Sequence, residues 1–235
     1  MIFLPPPPAT YRAGDGTLLL STPGGQRIAA RYLENPAATY TILHSHGNAE
    51  DLSLIRSMLQ QLRDSGFAVF AYDYRGYGLS EGRPSERASY EDIDTAYEYL
   101  TREARVPPDR IIAYGRSVGS GPAVELASQR PVGGLVLESA FVTAFRVLTR
   151  VPLLPFDKFR NIDKIQRVRC PVLVMHGMAD AIVPFSHGLA LFRAAPEPKR
   201  FLWVEDAGHN DFLLVAGPRQ TRALREFAEL LSAPR

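Results

Sequence analysis

The pentapeptide Gly115-Arg116-Ser117-Val118-Gly119 places a serine between two glycines, each two positions away. A serine on a sharp strand-to-helix turn has an exposed hydroxyl, and glycines at these positions let neighbouring backbone come close. The hydroxyl then sits at a helix N-terminus, where the peptide dipoles favour developing negative charge. The chemistry this suggests is nucleophilic attack on an acyl carbon. A serine hydroxyl is a weak nucleophile, so it needs a base, and the base needs a third group to orient it.

The chain offers five histidines as bases: His44, His46, His176, His187 and His209. His209, in Ala207-Gly208-His209-Asn210-Asp211, follows the last apolar run, Phe201 to Val204, and is the candidate base. His176 closes an apolar run and reads as buried and hydrogen-bonded. His187 reads as a surface residue at a helix start. His44 and His46 flank a turn after an early apolar run and are better placed to shape that turn. Asp180 follows the run Val172 to His176 and is the candidate acid. Glu138 also ends an apolar run and is the runner-up; Asp206 and Asp211 read as loop or cap residues. An acyl-transfer site needs donors for the oxyanion. The backbone N–H of Val118 is one candidate. The turn His46-Gly47-Asn48-Ala49 supplies the second, with Asn48 favoured over Ala49.

These residues make a site only if the fold gathers them. Short apolar runs at Thr39–Leu43, Ala68–Tyr72, Arg110–Tyr114, Gly134–Glu138, Val172–His176 and Phe201–Val204 read as buried strands. Thr17–Ser21 and Ile28–Tyr32 flank Pro23-Gly24-Gly25 and predict a hairpin. Leu52, Ile55, Leu59 and Leu62 recur at helical spacing, as do Ile93, Ala96, Tyr97 and Leu100; Ala123, Leu126 and Ala127; and Leu224, Phe227 and Leu231. Strands alternating with helices predict an α/β fold: a mostly parallel sheet with helices on both faces. In such sheets ligands bind beyond the carboxyl ends of the strands. Ser117, Asp180, His209 and Asn48 all fall there.

One domain spanning 1–235 is expected, since α/β domains commonly run to about 200–250 residues. Residues 1–16 form an extended arm around Pro5–Pro8, because proline fixes its own φ and restrains the residue before it. The segment 139–169 reads as a short cap or rim. Within it Phe141, Phe145 and Leu148 share a helical face and are candidates for an acyl-chain pocket wall; covering the sheet core is the plainer reading.

Other function classes fit poorly. The turn Tyr72-Asp73-Tyr74-Arg75-Gly76-Tyr77-Gly78 has glycines, but no phosphate-loop or dinucleotide fingerprint accompanies it, so it reads as a structural turn held by Asp73 and Arg75. The sequence has no H-E-x-x-H and no Cys/His cluster, and neither a metal nor a cofactor is expected. A net charge of +2, 46% hydrophobic and 22% charged residues describe an ordinary globular chain, not a nucleic-acid partner. The expected partner is a small-molecule or acylated substrate. Cys170 is the one cysteine and reads as a small buried hydrophobe before a strand. No window approaches the roughly 20 apolar residues of a spanning helix, so no integral membrane segment is expected. A cytoplasmic protein is expected, unless an anchor precedes this sequence.

Together, His46-Gly47-Asn48-Ala49, Tyr72 to Gly78, Gly115 to Gly119, Cys170-Pro171-Val172-Leu173, His176-Gly177 with Asp180, and Gly208-His209-Asn210-Asp211 resemble the α/β-hydrolase superfamily over nearly the whole chain. The subgroup they resemble is the alpha/beta hydrolase domain-containing protein 17 group of protein depalmitoylases, with its bacterial relatives. The resemblance implies that Ser117, Asp180 and His209, in the superfamily's chain order, form a triad that cleaves an ester or thioester. The group carries an N-terminal cysteine cluster, and this N-terminus has none. A carboxylesterase or acyl-thioesterase acting on small or medium acyl groups is therefore expected. A peptidase or amidase on the same triad, and a non-catalytic hydrolase-like binding protein, are the alternatives. Dehalogenases and epoxide hydrolases would want aspartate at position 117.

Overall fold

Strands fed from both faces send alternate side chains into two cores. In β6 (Gly134–Glu138), Leu135 and Leu137 enter one buried cluster and Val136 the other. The computed structural model describes residues 2–149 and 157–232. Its sheet has eight strands. The others are β1 (Thr17–Ser21), β2 (Arg27–Leu33), β3 (Thr41–Ser45), β4 (Ala68–Tyr72), β5 (Ile111–Arg116), β7 (Val172–Gly177) and β8 (Lys199–Val204). Their spatial order is β1-β2-β4-β3-β5-β6-β7-β8. The pairs β1–β2 and β2–β4 are antiparallel, and all later neighbours are parallel.

Helices cover both faces. On one side lie α1 (Arg56–Asp64), with buried Leu59 and Leu62, and α8 (Pro218–Ser232), with Leu224 and Phe227. On the other lie α2 (Glu86–Glu98), α3 (Ser120–Gln129) and α6 (Phe185–Ala194), contributing Ile93, Ala123, Val124 and Leu191. The Ser85 hydroxyl starts α2 by accepting the Ala88 N–H. Short helices α4 (Ala144–Thr149), α5 (Asn161–Lys164) and α7 (Phe212–Ala216) decorate the loops. Among the described residues, no helix is long and apolar enough to cross a membrane.

From β3 the chain crosses outward to β4, then returns over β3 to β5. The loops after β3 and β5 therefore part and leave a crevice at the carboxyl ends of the strands. The elbow at Ser117 and the turn containing Asn48 sit at this crevice.

Several strand ends shift by one or two residues from the sequence reading, and two boundaries differ in a way that bears on the site. Strand β3 extends through His44 and Ser45, which pair with Ala71 and Tyr72 on one side and Tyr114 and Gly115 on the other. Their polar side chains resemble a turn in sequence, yet both are fully buried. Helix α1 starts only at Arg56. Before it, the Asp51 carboxylate accepts the N–H groups of Ser53 and Leu54 and forms a separate turn, whose Leu52 and Ile55 still join the core.

Candidate active site

Strand β5 delivers Ser117 on a sharp turn. Ser117 has φ 51°, a left-handed backbone conformation uncommon for a residue with a side chain. Such residues store about 1–3 kcal/mol and persist where their surroundings hold them. Here the holding is steric. A Cβ on Gly115 would stand 2.4 Å from the Gly119 carbonyl oxygen, and one on Gly119 would stand 2.1 Å from the Ser45 carbonyl oxygen. Only glycine lets β5, the elbow and the end of β3 come this close.

Strands β7 and β8 end in loops joined by backbone hydrogen bonds. Met178 N–H donates to the Val204 carbonyl at 2.8 Å, and Ala179 N–H donates to Ala207 at 3.1 Å. The first loop carries Asp180 and the second His209. Asp180 Oδ1 accepts the N–H groups of Ile182 (2.9 Å) and Val183 (2.7 Å), leaving Oδ2 to face His209 Nδ1 at 2.7 Å. His209 Nε2 lies 2.9 Å from Ser117 Oγ. The structure thus brings Ser117, His209 and Asp180 into one hydrogen-bonded chain.

Burial works to raise the Asp180 carboxyl, but the hydrogen bond and charge of His209, the Val183 N–H and nearby His176 outweigh it and hold it below the usual carboxylate range. An ionised carboxylate only accepts, so His209 Nδ1 carries the hydrogen and Nε2 is left to accept the Ser117 hydroxyl. His176 lies under this loop. Its Nε2 donates to the Val183 carbonyl at 2.9 Å and is 3.5 Å from Asp180 Oδ2. Burial holds its imidazole below the usual value.

Arg116 stands at a position that the G-x-S-x-G pattern leaves unspecified, so no local signal in the sequence marks it. Its guanidinium donates to Glu138 Oε1 at 3.1 Å, to Glu50, and to the His209 carbonyl oxygen at 3.1 Å. Glu138, the runner-up acid, also accepts from the Tyr114 hydroxyl and from Gln220 Nε2 at 2.9 Å. It is therefore engaged with Arg116 and not with His209. The residues of this cluster lie far apart in the chain, which is why no local motif announces it.

The turn after β3 holds Asn48. Gly47 N–H donates to Glu50 Oε2 at 2.7 Å and Ala49 N–H to Asn48 Oδ1 at 3.2 Å. Between them the Asn48 N–H has no partner among the described residues. Val118 is the second residue of the short helical turn Ser117–Gly119, where backbone N–H groups have no preceding turn to donate to. A cavity of about 420 Å³ opens on Ser117 and is bordered by Asn48, Val118, Phe141, Val147, Ile182 and His209.

Phe141 does line this cavity, though it precedes α4 and packs edge-on against Phe159. The side chains of Phe145 and Leu148 lie outside the described part, as do residues 150–156. His187 corrects the sequence reading. It stands in the first turn of α6 but is buried, because that turn faces the loop after β6, and its Nδ1 accepts the Val142 N–H at 3.2 Å. Burial lowers its imidazole to about 4. Asp73 and Arg75 do steady their turn, but not by pairing with each other. Asp73 accepts from the Tyr11 hydroxyl and the Leu52 N–H, and Arg75 binds Asp92 and Glu91 on α2.

The sequence profile of the family described as serine aminopeptidase S33 matches residues 36–155. Alpha/beta hydrolase domain-containing protein 17B of Xenopus tropicalis is 43% identical over 194 residues, covering 81% of this chain and 67% of that protein. The human 17C protein is 45% identical over 185 residues, covering 77% of this chain and 56% of that one. The chain thus spans between 56% and 67% of the length of these relatives. In structure it is similar to the Pyrococcus furiosus esterase Pf2001, with a TM-score of 0.80, 17% identity, and coverage of 96% of this chain and 98% of that one. At that identity the likeness concerns the fold.

Proposed function

Because this chain belongs to the α/β-hydrolase family, among the relatives of alpha/beta hydrolase domain-containing protein 17, we propose that it is a serine hydrolase cleaving carboxylic esters or acyl thioesters. The observation that carries this reading is the hydrogen-bonded chain Ser117–His209–Asp180, with Ser117 on a strained turn facing a largely apolar cavity.

In the proposed reaction Ser117 Oγ attacks the acyl carbon while His209 Nε2 takes its proton. Asp180 holds the imidazole in the required tautomer and stabilises the imidazolium. The N–H groups of Val118 and Asn48 receive the oxyanion. Collapse of the tetrahedral adduct breaks the bond to the alcohol or thiol, and His209 returns the proton to that leaving group. Water then attacks the acyl-serine, again giving its proton to His209, and the carboxylic acid departs as Ser117 is restored.

Hydrolysis of p-nitrophenyl esters from acetate to palmitate, wild type against Ser117→Ala, tests the reading. Ester turnover that is lost in the variant supports it. A wild type that is folded yet inert to every one of these esters and to acyl-coenzyme A thioesters contradicts it. The matched family's description favours a second reading, peptidase, and amino-acid p-nitroanilides test that in the same assay.

A further inference from the structure

An extended strand projects alternate side chains to opposite sides, and the first residues of the arm do this over the cavity. Phe3 points inward. It is buried, with its ring edge-on to Tyr74, Tyr77 and Phe159 at centroid distances of 6.4, 6.4 and 5.8 Å. Its neighbours Ile2 and Leu4 instead border the cavity that opens on Ser117.

The Asn48 side chain fixes this arrangement. Its Nδ2 donates to the Ile2 carbonyl at 2.7 Å, and its Oδ1 accepts the Leu4 N–H at 2.8 Å. One side-chain amide thus satisfies the carbonyl of one residue and the N–H two residues later, as a neighbouring strand would. The Tyr77 hydroxyl donates to the same Oδ1 at 2.6 Å and lies 2.9 Å from the Leu4 nitrogen. An arm attached by its backbone and by Phe3 leaves two aliphatic side chains for another use. Leu4 is 53% exposed, a large apolar surface at the mouth of a cavity.

We infer that Ile2 and Leu4 are specificity-determining residues forming an arm-borne wall of the acyl site, with the Asn48 amide holding that wall over Ser117. This deepens the ester-hydrolase reading and rests on it. Both residues are aliphatic and share the lining with the apolar Phe141 and Val183, so the group they would contact is the hydrocarbon part of the acyl chain. A short acyl group needs only Ser117 and the oxyanion donors, whereas a longer one must run along the wall.

The test uses the full chain carrying Ile2→Ala with Leu4→Ala, and separately Leu4→Trp. Phe3 and the backbone contacts to Asn48 are retained in both, so the arm's attachment is unchanged. For each protein kcat/KM is measured on p-nitrophenyl esters from acetate to palmitate. In parallel, dodecanoate binding to the same variants made in Ser117→Ala is measured by calorimetry. The inference predicts that the ratio of long-chain to acetate kcat/KM changes by about fivefold or more, in opposite directions for the two variants, since a pocket discriminates by the methylenes it contacts. It also predicts that acetate turnover stays near wild type and that dodecanoate affinity moves with the long-chain ratio. Variants that keep the wild-type chain-length profile and dodecanoate affinity overturn it. A wild type that cleaves neither these esters nor acyl-coenzyme A thioesters overturns the hydrolase reading instead, and the calorimetry still decides the role of the arm.

Discussion

The Arg116 guanidinium, carried on the residue before Ser117, donates to the backbone carbonyl of His209 at 3.1 Å. The proposed nucleophile and base come from loops 92 positions apart in the chain, and this contact ties the two loops beside their side-chain hydrogen bond. Glu138 and Glu50 fix the other guanidinium nitrogens, so Arg116 is held on three sides. Arg116→Lys keeps the charge but loses the planar fork. It should lower kcat by about tenfold to a hundredfold through misplacement of His209, with KM nearly unchanged. Arg116→Met leaves two carboxylates without their cation and should cost about 3–5 kcal/mol in unfolding free energy. Steady-state kinetics and urea denaturation of the two variants separate these effects.

Glu138 ends β6 and Asp180 lies in the loop just after β7, and they should answer differently to the same change. Asp180→Asn alters the tautomer of His209 and should lower kcat by about 10³- to 10⁴-fold with the fold intact. Glu138→Gln weakens the cluster with Arg116, Tyr114 and Gln220. Its main effect should be on stability, about 1–3 kcal/mol. Equal losses of kcat in the two variants would contradict the assignment of Asp180.

A methyl group at Gly119 would meet the Ser45 carbonyl oxygen at 2.1 Å and the His46 carbonyl oxygen at 2.7 Å, both backbone atoms with no flexible side chain to yield. Gly119→Ala should therefore destabilise the protein by about 3 kcal/mol or more. Any folded fraction should show reduced reactivity at Ser117. Thermal denaturation read beside ester turnover checks both.

His44 is fully buried against the Tyr114 ring, and both its ring nitrogens lack hydrogen-bond partners among the described residues. Burial, then the nearby His46 and Arg116, lower its imidazole to about 3. Folding thus favours the neutral ring. Its contribution is complete above the unfolded-state value near 6.5 and is lost as pH falls toward the folded value. Between pH 7 and pH 5 this one group should remove about 2 kcal/mol of stability. His44→Phe should flatten that slope; urea titrations at the two pH values measure it.

The positions of Ser117, Asp180 and His209 were legible because each follows an apolar run, and the parallel sheet turns that shared position into proximity. Strand β4 matches its apolar run residue for residue, whereas β3 is displaced toward His44 and Ser45. There the buried partner of a polar side chain, such as Tyr72 for Ser45, is remote in sequence and leaves no local trace. The same holds for Arg116, whose partners at 50, 138 and 209 come together only when β3, β5, β6 and the loop after β8 converge. The arm reads as extended from its prolines, but its role beside Asn48 depends on a contact between residues 46 positions apart. His187 reads as a surface residue in sequence, although buried, because helix periodicity does not show which neighbouring loop a first turn faces.

The most direct test of the central claim is intact-protein and peptide mass spectrometry after treatment with a fluorophosphonate. The account predicts a single phosphonyl adduct on the peptide carrying Ser117, formed quickly in wild type, slowly in His209→Ala and absent in Ser117→Ala. A folded wild type that gains no adduct, or an adduct that persists in Ser117→Ala, would contradict it.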